Sequence, residues 1–367
     1  MTIEDIALQM TSGIGPKGAV HLLQHFGDAR AIFAASEREL IEIAELRPAL
    51  ARPIAEKRGF RDAEKELDFC RRHDIRPIAS TDPDYPALLR EIPDRPHVLY
   101  TQGDVAALSR RCLSVVGTRS MSAYGLAQCT RLIEELARRV PQLCIVSGLA
   151  YGIDATAHRA ALAAGIPTAA VLPESLANIV PAQHTALARD IAAHGGVLVS
   201  EIPSQHPRHG TGYMARNRII AGLSAGCLVV EAAEKSGSLT TATFACGYDR
   251  SLLAVPGRVT DKHSRGTNLL IRDHKAQLVL SAEEIIRELM WDLEPGAVVS
   301  RPPIAAPALT EEERALLAHL PDSDPVSFDE LASKTGIDAS MLQTPPTLLE
   351  INDAIRTLPG NRYLKIR

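Results

Sequence analysis

The chain is poor in aromatic residues and has no cysteine arrangement typical of a zinc site or a disulfide framework. Phe, Tyr and Trp make up 4% of its 367 residues, and its six cysteines are widely spaced, without a CxxC pair. Such spacing indicates reduced, buried thiols. The net charge of -4 excludes a uniformly basic surface, so any binding site for nucleic acid must be a local cluster of Arg and Lys.

Long apolar runs are also missing. The sequence contains no stretch of about 20 apolar residues that could span a bilayer. The first ten residues include Glu4 and Asp5 and lack the basic segment and apolar run of a secretory signal. We therefore expect a cytoplasmic protein without membrane contact. A hydrophobic content of 46% in a chain of this length predicts two or three globular domains.

The first two predicted domains differ in the period of their apolar residues. Residues 1–73 have apolar side chains at helical spacing, which predicts a small helical domain. From 74 to 290, short β-branched runs alternate with helical segments of about 10 to 15 residues, the pattern of βαβ units. The predicted strands are 113–116, 143–146, 168–172, 197–199, 228–231 and 252–255. We therefore predict an α/β core with an extended, Rossmann-like parallel sheet covered by helices on both faces.

The C-terminal segment is predicted to form a third domain. Residues 291–306 contain several prolines and predict a linker. Residues 307–367 have three helical segments and a hairpin-like turn at 358–363, which predict a winged helix. Winged helices bind DNA or mediate protein contacts, and both roles stay open. The turn at Gly13, Gly15 and Pro16 is similarly either a phosphate-contacting helical hairpin or a plain connection between helices.

Distinctive residues follow four of the predicted strands at their carboxyl ends. Open parallel sheets bind ligands at this edge, where loops lead into helix N-termini with unpaired N–H groups. Glycines allow close backbone approach, hydroxyls bind anions, and Arg is a permanent cation suited to phosphate. The loop residues are Gly117, Thr118 and Arg119; Ser147, Gly148, Leu149 and Ala150; Arg216, Asn217 and Arg218; and Ser236, Gly237 and Ser238. Together they predict one cationic crevice that binds the phosphates of a nucleotide or a polynucleotide.

Single residues in these loops allow simpler interpretations. Asp154 opens a helix, where an acidic side chain is more often a cap than a ligand-orienting group. Ser236 and Ser238 are equally suited to N-capping. Successive helical residues fan out by about 100 degrees, so at most two side chains of 216–218 can face one ligand.

Catalytic machinery is not recognisable in the sequence. The loops do not contain GxGxxG, so a dinucleotide cofactor gains little support. Glu201 and Glu231 follow strands, but no D-x-D or HxxE cluster accompanies them, and His158 and His184 are isolated. We therefore predict a binding protein with no catalytic residues, no metal and no cofactor.

Read in order, these loops resemble the DNA processing protein A family over nearly the whole chain. The resemblance is carried by six blocks, 85–89, 115–119, 147–154, 216–220, 231–239 and 255–257. It implies a sterile-alpha-motif-like N-terminal domain and a C-terminal winged helix. It also implies a homodimer that binds single-stranded DNA, protects incoming DNA during natural transformation and loads the recombinase RecA.

The resemblance also implies roles for particular residues. Arg119 and the loop at 147–150 would hold DNA phosphates, with Arg216, Asn217 and the loop at 236–238 completing the pocket. Tyr213 stands where the family usually has Phe and would stack on a base. Packing beneath the loop is an alternative role for this ring.

The chain departs from the family pattern at three places. Tyr151 occupies a position that is commonly basic, which leaves one phosphate contact in doubt. The usual Gly-rich turn after the third strand is replaced by residues 172–175, and a GA pair near the end of the core reads Lys275 and Ala276.

Two other functions compete with DNA binding. One is a nucleotide-processing enzyme, similar to phosphoribohydrolases on a related fold. Those enzymes carry a Pro-Gly-Gly-x-Gly-Thr loop, whereas residues 235–238 here read Lys-Ser-Gly-Ser. The other is an adaptor that binds its partners through the terminal domains alone.

Overall fold

A computed structural model describes residues 1–204, 212–291, 317–320, 326–335, 355–358 and 362–365. The chain divides into two compact units, Met1–Ser300 and Arg301–Arg367. The division into domains at 1–73 and 74–290 remains a prediction. Beyond Trp291, the linker predicted at 291–306 lies outside the described residues.

The N-terminal segment is helical, as its apolar spacing predicts. Asp28 and Ser36 are the N-caps of two helices, because their side-chain oxygens accept hydrogen bonds from backbone N–H groups in the first turn. The apolar faces enclose a separate cluster that includes Ile6, Leu22 and Ile32. The helices are α1 (Ile3–Met10), α2 (Pro16–Phe26), α3 (Ala29–Ala34), α4 (Glu37–Glu42), α5 (Pro48–Ala55) and α6 (Phe60–Arg72).

In the described part of the chain the larger unit contains one nine-stranded sheet. Its order is β1-β2-β6-β5-β4-β3-β7-β8-β9, and the seven strands from β3 to β9 are parallel. All six predicted strands are confirmed. The strands are β1 (Arg76–Ala79), β2 (Val98–Gly103), β3 (Arg111–Val116), β4 (Leu143–Ser147), β5 (Thr168–Val171), β6 (Val197–Ser200), β7 (Gly226–Val229), β8 (Ser251–Ala254) and β9 (Gln277–Leu278).

Three strands are absent from the sequence prediction. β1 and β2 pair antiparallel and extend the sheet beyond β6, so the sheet is mixed at that edge. β1 has four residues and contains Pro77, which weakens any strand pattern. β9 has only two residues, Gln277 and Leu278. Strands this weak form because they can pair with the edge of an existing sheet. The local sequence does not show that such an edge is nearby.

Helices cover both faces of the sheet, because successive residues of the buried strands point in opposite directions. Along β3, Cys112 and Val116 enter one apolar cluster, and Leu113 and Val115 enter the other. The helices are α7 (Ala87–Glu91), α8 (Ala123–Arg139), α9 (Ile153–Ala163), α10 (Thr185–Ala193), α11 (Gly212–Gly222), α12 (Ser238–Gly247), α13 (Arg265–Arg272) and α14 (Ala282–Glu288), with 3-10 turns at Val105–Ser109 and Ala182–His184. None of the described helices is long and apolar enough to cross a bilayer.

The second unit has its own small core. Helix α15 (Phe328–Thr335) follows β10 (Val326–Ser327), and the pair β11 (Ile355–Leu358) and β12 (Arg362–Lys365) is antiparallel. β10 adds to β12 and completes a three-stranded sheet. Buried Leu320, Val326, Leu331 and Ile355 form the apolar cluster. The hairpin predicted around 358–363 is confirmed by the β11–β12 pairing, although residues 359–361 lie outside the described part.

Candidate functional site

A crevice opens at the carboxyl edge of the central sheet, above β3 and its neighbours β4 and β7. Arg119, which follows β3, and Arg216, near the start of α11, both line the crevice. Its volume is about 390 Å³. The lining residues are Val116, Gly117, Arg119, Ala150, Asp154, Tyr213, Met214, Arg216, Asn217, Ile220, Ser236, Gly237, Ser238, Thr240 and Thr241. The structure thus brings together residues from all four loops that the sequence singles out.

Arg119 lies over the ring of Tyr213 at the crevice wall. The guanidinium carbon is 5.4 Å from the ring centroid, a distance that allows a cation–π contact. Tyr213 is 37% exposed, so its ring is not packed away beneath the loop. The cation therefore lies against one face of the ring, and the rest of the ring is partly exposed next to it.

Arg216 forms the floor of the crevice. Its side chain is buried, and Nη1 donates hydrogen bonds to Gly148 O at 2.5 Å and Val171 O at 2.8 Å. Burial lowers the pKa of this guanidinium, and the charge of Arg119 acts in the same direction, whereas Asp154 opposes the shift. Arg216 thus ties the ends of β4 and β5 together and adds positive potential from below.

The approach of Arg216 depends on the absence of a side chain at residue 148. A Cβ atom at Gly148 would lie 1.6 Å from Nη1 of Arg216. Gly148 therefore contributes to the site by leaving room for the buried guanidinium.

Asp154 brings an acidic group into the crevice wall. The residue is 7% exposed, and the Ala150 N–H donates to its Oδ2 at 3.4 Å. Burial raises the pKa of this carboxyl, and the charge of Arg216 only partly opposes the rise. Gly152, not Asp154, is the N-cap of α9. The sequence pattern favours a capping role for Asp154 and does not assign it to the site, although an acid beside two glycines at a strand end is a signal for one.

We expect Asp154→Asn to strengthen binding of a polyanion in this crevice. At about 8 Å and an effective dielectric constant of about 40, removing one negative charge changes the binding free energy by about 1 kcal/mol, or about fivefold. Because the raised pKa means that ionised Asp154 destabilises the fold at neutral pH, the variant should stay folded.

A pH series checks this expectation. As the pH falls through the raised pKa of Asp154, the wild-type carboxyl becomes neutral, and the difference in affinity between the two proteins should close. A difference that stays constant from neutral to acidic pH would show that the charge of Asp154 does not act on the ligand.

The loop between β7 and α12 supplies hydroxyl groups to the crevice. The Oγ atoms of Ser236 and Ser238 are 2.8 Å apart, and the Asn217 side-chain amide donates to Gly237 O at 3.5 Å. Among the described residues, no atom beyond its chain neighbours lies within 4 Å of the position where Gly237 would carry a Cβ, so this backbone is open to a ligand. α12 begins at Ser238, and helix N-termini favour anions.

Five of the sequence-predicted residues do not line the crevice. Thr118 accepts a hydrogen bond from Ser120 N–H, and Ser147 donates to Val115 O at 2.7 Å. Leu149 is fully buried. Gly148 acts through Arg216, as described above. The fifth residue is Arg218.

Arg218 turns away from its two neighbours. It forms an ion pair with Glu201 at 2.5 Å and lies 3.8 Å from Asp94. Within the run 216–218, Arg216 and Asn217 face the crevice, in agreement with the limit of two set by helical geometry.

Glu231 has a structural role at the base of the Arg119 loop. Its backbone O accepts a hydrogen bond from Thr118 N–H at 2.7 Å, and its carboxylate accepts from Ser122 N–H at 2.8 Å and Ser122 Oγ at 2.5 Å. Glu231 and Glu201 therefore serve separate contacts. No cluster of three or more potential metal ligands occurs among the described residues.

The isolated histidines are also held by structural contacts. Burial lowers the pKa of His158 to about 3, and its Nδ1 lies 2.7 Å from Thr168 Oγ1. His184 Nδ1 lies 2.8 Å from Leu149 O. Neither ring lines the crevice.

Comparisons with known proteins identify relatives along most of the chain. The sequence matches the family described as DNA recombination-mediator protein A over residues 76–290 and the DprA winged helix domain over residues 300–361. Protein Smf of Escherichia coli (strain K12) is 38% identical over 288 residues, 77% of this chain and 75% of that protein. The DNA processing protein DprA of Bacillus subtilis (strain 168) is 39% identical over 220 residues, 60% of this chain and 73% of that protein.

Two solved structures share the fold. DNA processing protein A from Streptococcus pneumoniae superposes with a TM-score of 0.67 at 30% identity, covering 80% of this chain and 99% of that one. DNA processing protein A from Helicobacter pylori, described for its single-stranded DNA binding mode, gives a TM-score of 0.52 at 29% identity, covering 59% of this chain and all of that one.

Proposed function

This chain belongs to the DNA processing protein A family, and from that membership and its crevice we propose that it binds single-stranded DNA and mediates homologous recombination. The relative from Helicobacter pylori is described as binding single-stranded DNA. The proposal assigns phosphate contacts to Arg119 and the loop at 236–238, and base stacking to Tyr213.

The observation that carries the proposal is the pairing of Arg119 with the Tyr213 ring. A cation beside a partly exposed aromatic face matches the two repeating parts of a nucleic-acid strand, phosphate and base. Base stacking on a side chain requires an unpaired base, which favours a single strand over a duplex. Neither contact reads base identity, so we expect little sequence preference.

The direct test is filter binding of single-stranded and duplex DNA of equal length across a salt series. We expect tighter binding of the single strand and an affinity that falls linearly on logarithmic axes as salt rises. Equal binding of both forms, or binding that is insensitive to salt, would contradict the proposal.

The finer part of the proposal rests on the family alone. It includes a homodimer, protection of incoming DNA from degradation during natural transformation, and loading of RecA onto the bound strand. Strand-exchange assays with RecA and a single-strand-binding protein that competes for DNA test the loading step: addition of this chain should shorten the lag.

The enzymatic alternative predicts release of free base from nucleoside monophosphates. Among the described residues that line the crevice, Asp154 is the acidic one; it accepts a hydrogen bond from Ala150 N–H and lies near the charge of Arg216. We expect no base release by the purified protein. Release that is lost in Asp154→Asn would instead assign this carboxyl to catalysis.

A further inference from the structure

A second cationic surface lies beside the crevice and outside its wall. Residues 255–264, which we call the β8 loop, connect β8 to α13 and include Arg258 and Lys262, both exposed. Within the described ranges, no hydrogen bond or ion pair engages either side chain. Val259 between them is 92% exposed, so this part of the loop projects into solvent.

The β8 loop is held in shape by hydrogen bonds at its base. Gly257 N–H donates to Asn268 Oδ1 at 3.1 Å, and the Asn268 amide donates back to Gly257 O at 3.0 Å. The Tyr124 hydroxyl donates to Pro256 O at 2.7 Å, and Asp261 N–H closes a turn onto Arg258 O at 3.0 Å. The two cations therefore extend from an ordered backbone, which lowers the entropy lost when a ligand binds.

This loop adjoins the crevice. β7 and β8 are parallel neighbours, so their carboxyl ends lie at one edge of the sheet. Gly266 N–H donates to Ala232 O at 2.7 Å, and Arg265 forms an ion pair with Glu234 at 3.1 Å. The start of α13, directly after the β8 loop, thus packs on the segment that leads to Ser236. At about 4.8 Å between strands, β8 is only about 10 Å from β3.

The charges on the two flanks of the crevice favour the β8 side for a polyanion. Residues 172–184, which follow β5, contain Glu174 and no Lys or Arg. On the β8 side, exposed Lys235 lies in the chain between Glu234, which pairs with Arg265, and Ser236, which lines the crevice. Of the acids on this side, Glu234 pairs with Arg265, and Asp261 accepts a hydrogen bond from His263 N–H at 2.9 Å but keeps its charge. Arg258, Lys262 and Lys235 therefore outweigh one unpaired carboxylate.

We propose that Arg258 and Lys262 bind backbone phosphates of the strand that occupies the crevice, where it continues past the 236–238 loop over the end of β8. This inference rests on the proposed function, since it extends the same DNA path. Arg and Lys at this distance would contact nucleotides other than those held by Arg119 and Tyr213. The β8 loop therefore lengthens the binding site without altering the crevice.

The test compares the double variant Arg258→Ala/Lys262→Ala with Arg119→Ala and with a control that loses two cations elsewhere. Arg110→Ala/Arg138→Ala is that control, because Arg110 precedes β3 and Arg138 lies in the last turn of α8, both at the opposite edge of the sheet. Binding of single strands of about 4 and about 20 nucleotides is measured across a salt series.

We expect the β8-loop variant to bind the longer strand at least tenfold more weakly at moderate salt. Its plot of log affinity against log salt should be shallower by about 1.4, or about 0.7 for each lost phosphate contact. The variant and the wild type should bind the short strand with equal affinity. The control variant should bind strands of both lengths with the affinity of the wild type.

The remaining outcomes distinguish a failure of the inference from a failure of the proposed function. If the β8-loop variant keeps the wild-type slope on the longer strand while Arg119→Ala is weakened, the loop does not contact DNA and the crevice does. An equal loss on both strand lengths would overturn the extended path by placing the loop within the crevice contacts. If the wild type itself binds no single strand, the proposed function fails and the inference fails with it.

Discussion

Arg119→Ala should bind single-stranded DNA about 30-fold more weakly than the wild type, by a similar factor on every sequence. A hydrogen bond to a charged group contributes about 2 kcal/mol, which corresponds to about 30-fold in affinity. The slope of log affinity against log salt should become shallower by about 0.7, because one phosphate contact is lost. Filter binding on homopolymeric and mixed strands measures both quantities.

Arg110→Ala is the matched control for this variant. Arg110 is an exposed cation at the amino end of β3, whereas Arg119 follows the carboxyl end, about 20 Å away along the strand. The two variants change net charge equally, so only position distinguishes them. Equal affinities for Arg119→Ala and Arg110→Ala at matched salt would remove Arg119 from the proposed site.

Gly148 and Gly237 both lie in loops that follow strands, but their substitution by Ala should have different effects on the free energy of unfolding. At Gly148 the added Cβ would lie 1.6 Å from Arg216 Nη1, so the guanidinium must leave its two backbone acceptors. Hydrogen bonds from a charged group contribute about 1.5 to 3 kcal/mol. We expect Gly148→Ala to lose about this much unfolding free energy and most of its DNA affinity.

Gly237→Ala supplies the comparison. In the part of the chain that the structure describes, no atom beyond the neighbouring residues lies within 4 Å of the added Cβ, and the backbone of Gly237 is already in the right-handed helical region with φ at -61°. Its unfolding free energy should stay equal or rise by about 0.4 to 1 kcal/mol. Thermal and urea denaturation of the pair measures the difference. Similar stability of both variants would mean that Arg216 does not depend on the space at Gly148.

Much of the site was predictable because it follows from strand ends. A parallel sheet brings the loops after its strands to one edge, and so Arg119 and the 236–238 loop could be placed together from their positions after β-branched runs. The order of the strands gives no information on how deeply each side chain is buried. Arg216 is buried against carbonyls of two different strands, a contact that depends on packing between residues 45 and 68 positions apart in the chain.

Side-chain direction explains the remaining differences. Ser147 and Leu149 lie in the second loop, but both turn inward and are fully buried, so they support the crevice without lining it. Arg218 faces Glu201, whose position depends on β6 and could not be inferred from the helix that contains Arg218. The sequence does not predict β1 and β2, because antiparallel pairing at a sheet edge depends on a partner that is distant in the chain. Here that partner is β6, which pairs with β2.

Photo-cross-linking of a 5-iodouracil-substituted single strand, followed by peptide mapping, tests most directly whether DNA occupies the crevice. The ring of Tyr213 is partly exposed beside Arg119, and stacked aromatic side chains are the expected points of attachment. The proposed site predicts a cross-link at Tyr213 that disappears at high salt. Cross-links confined to residues 1–75 or 301–367 would contradict it and assign DNA binding to the terminal segments.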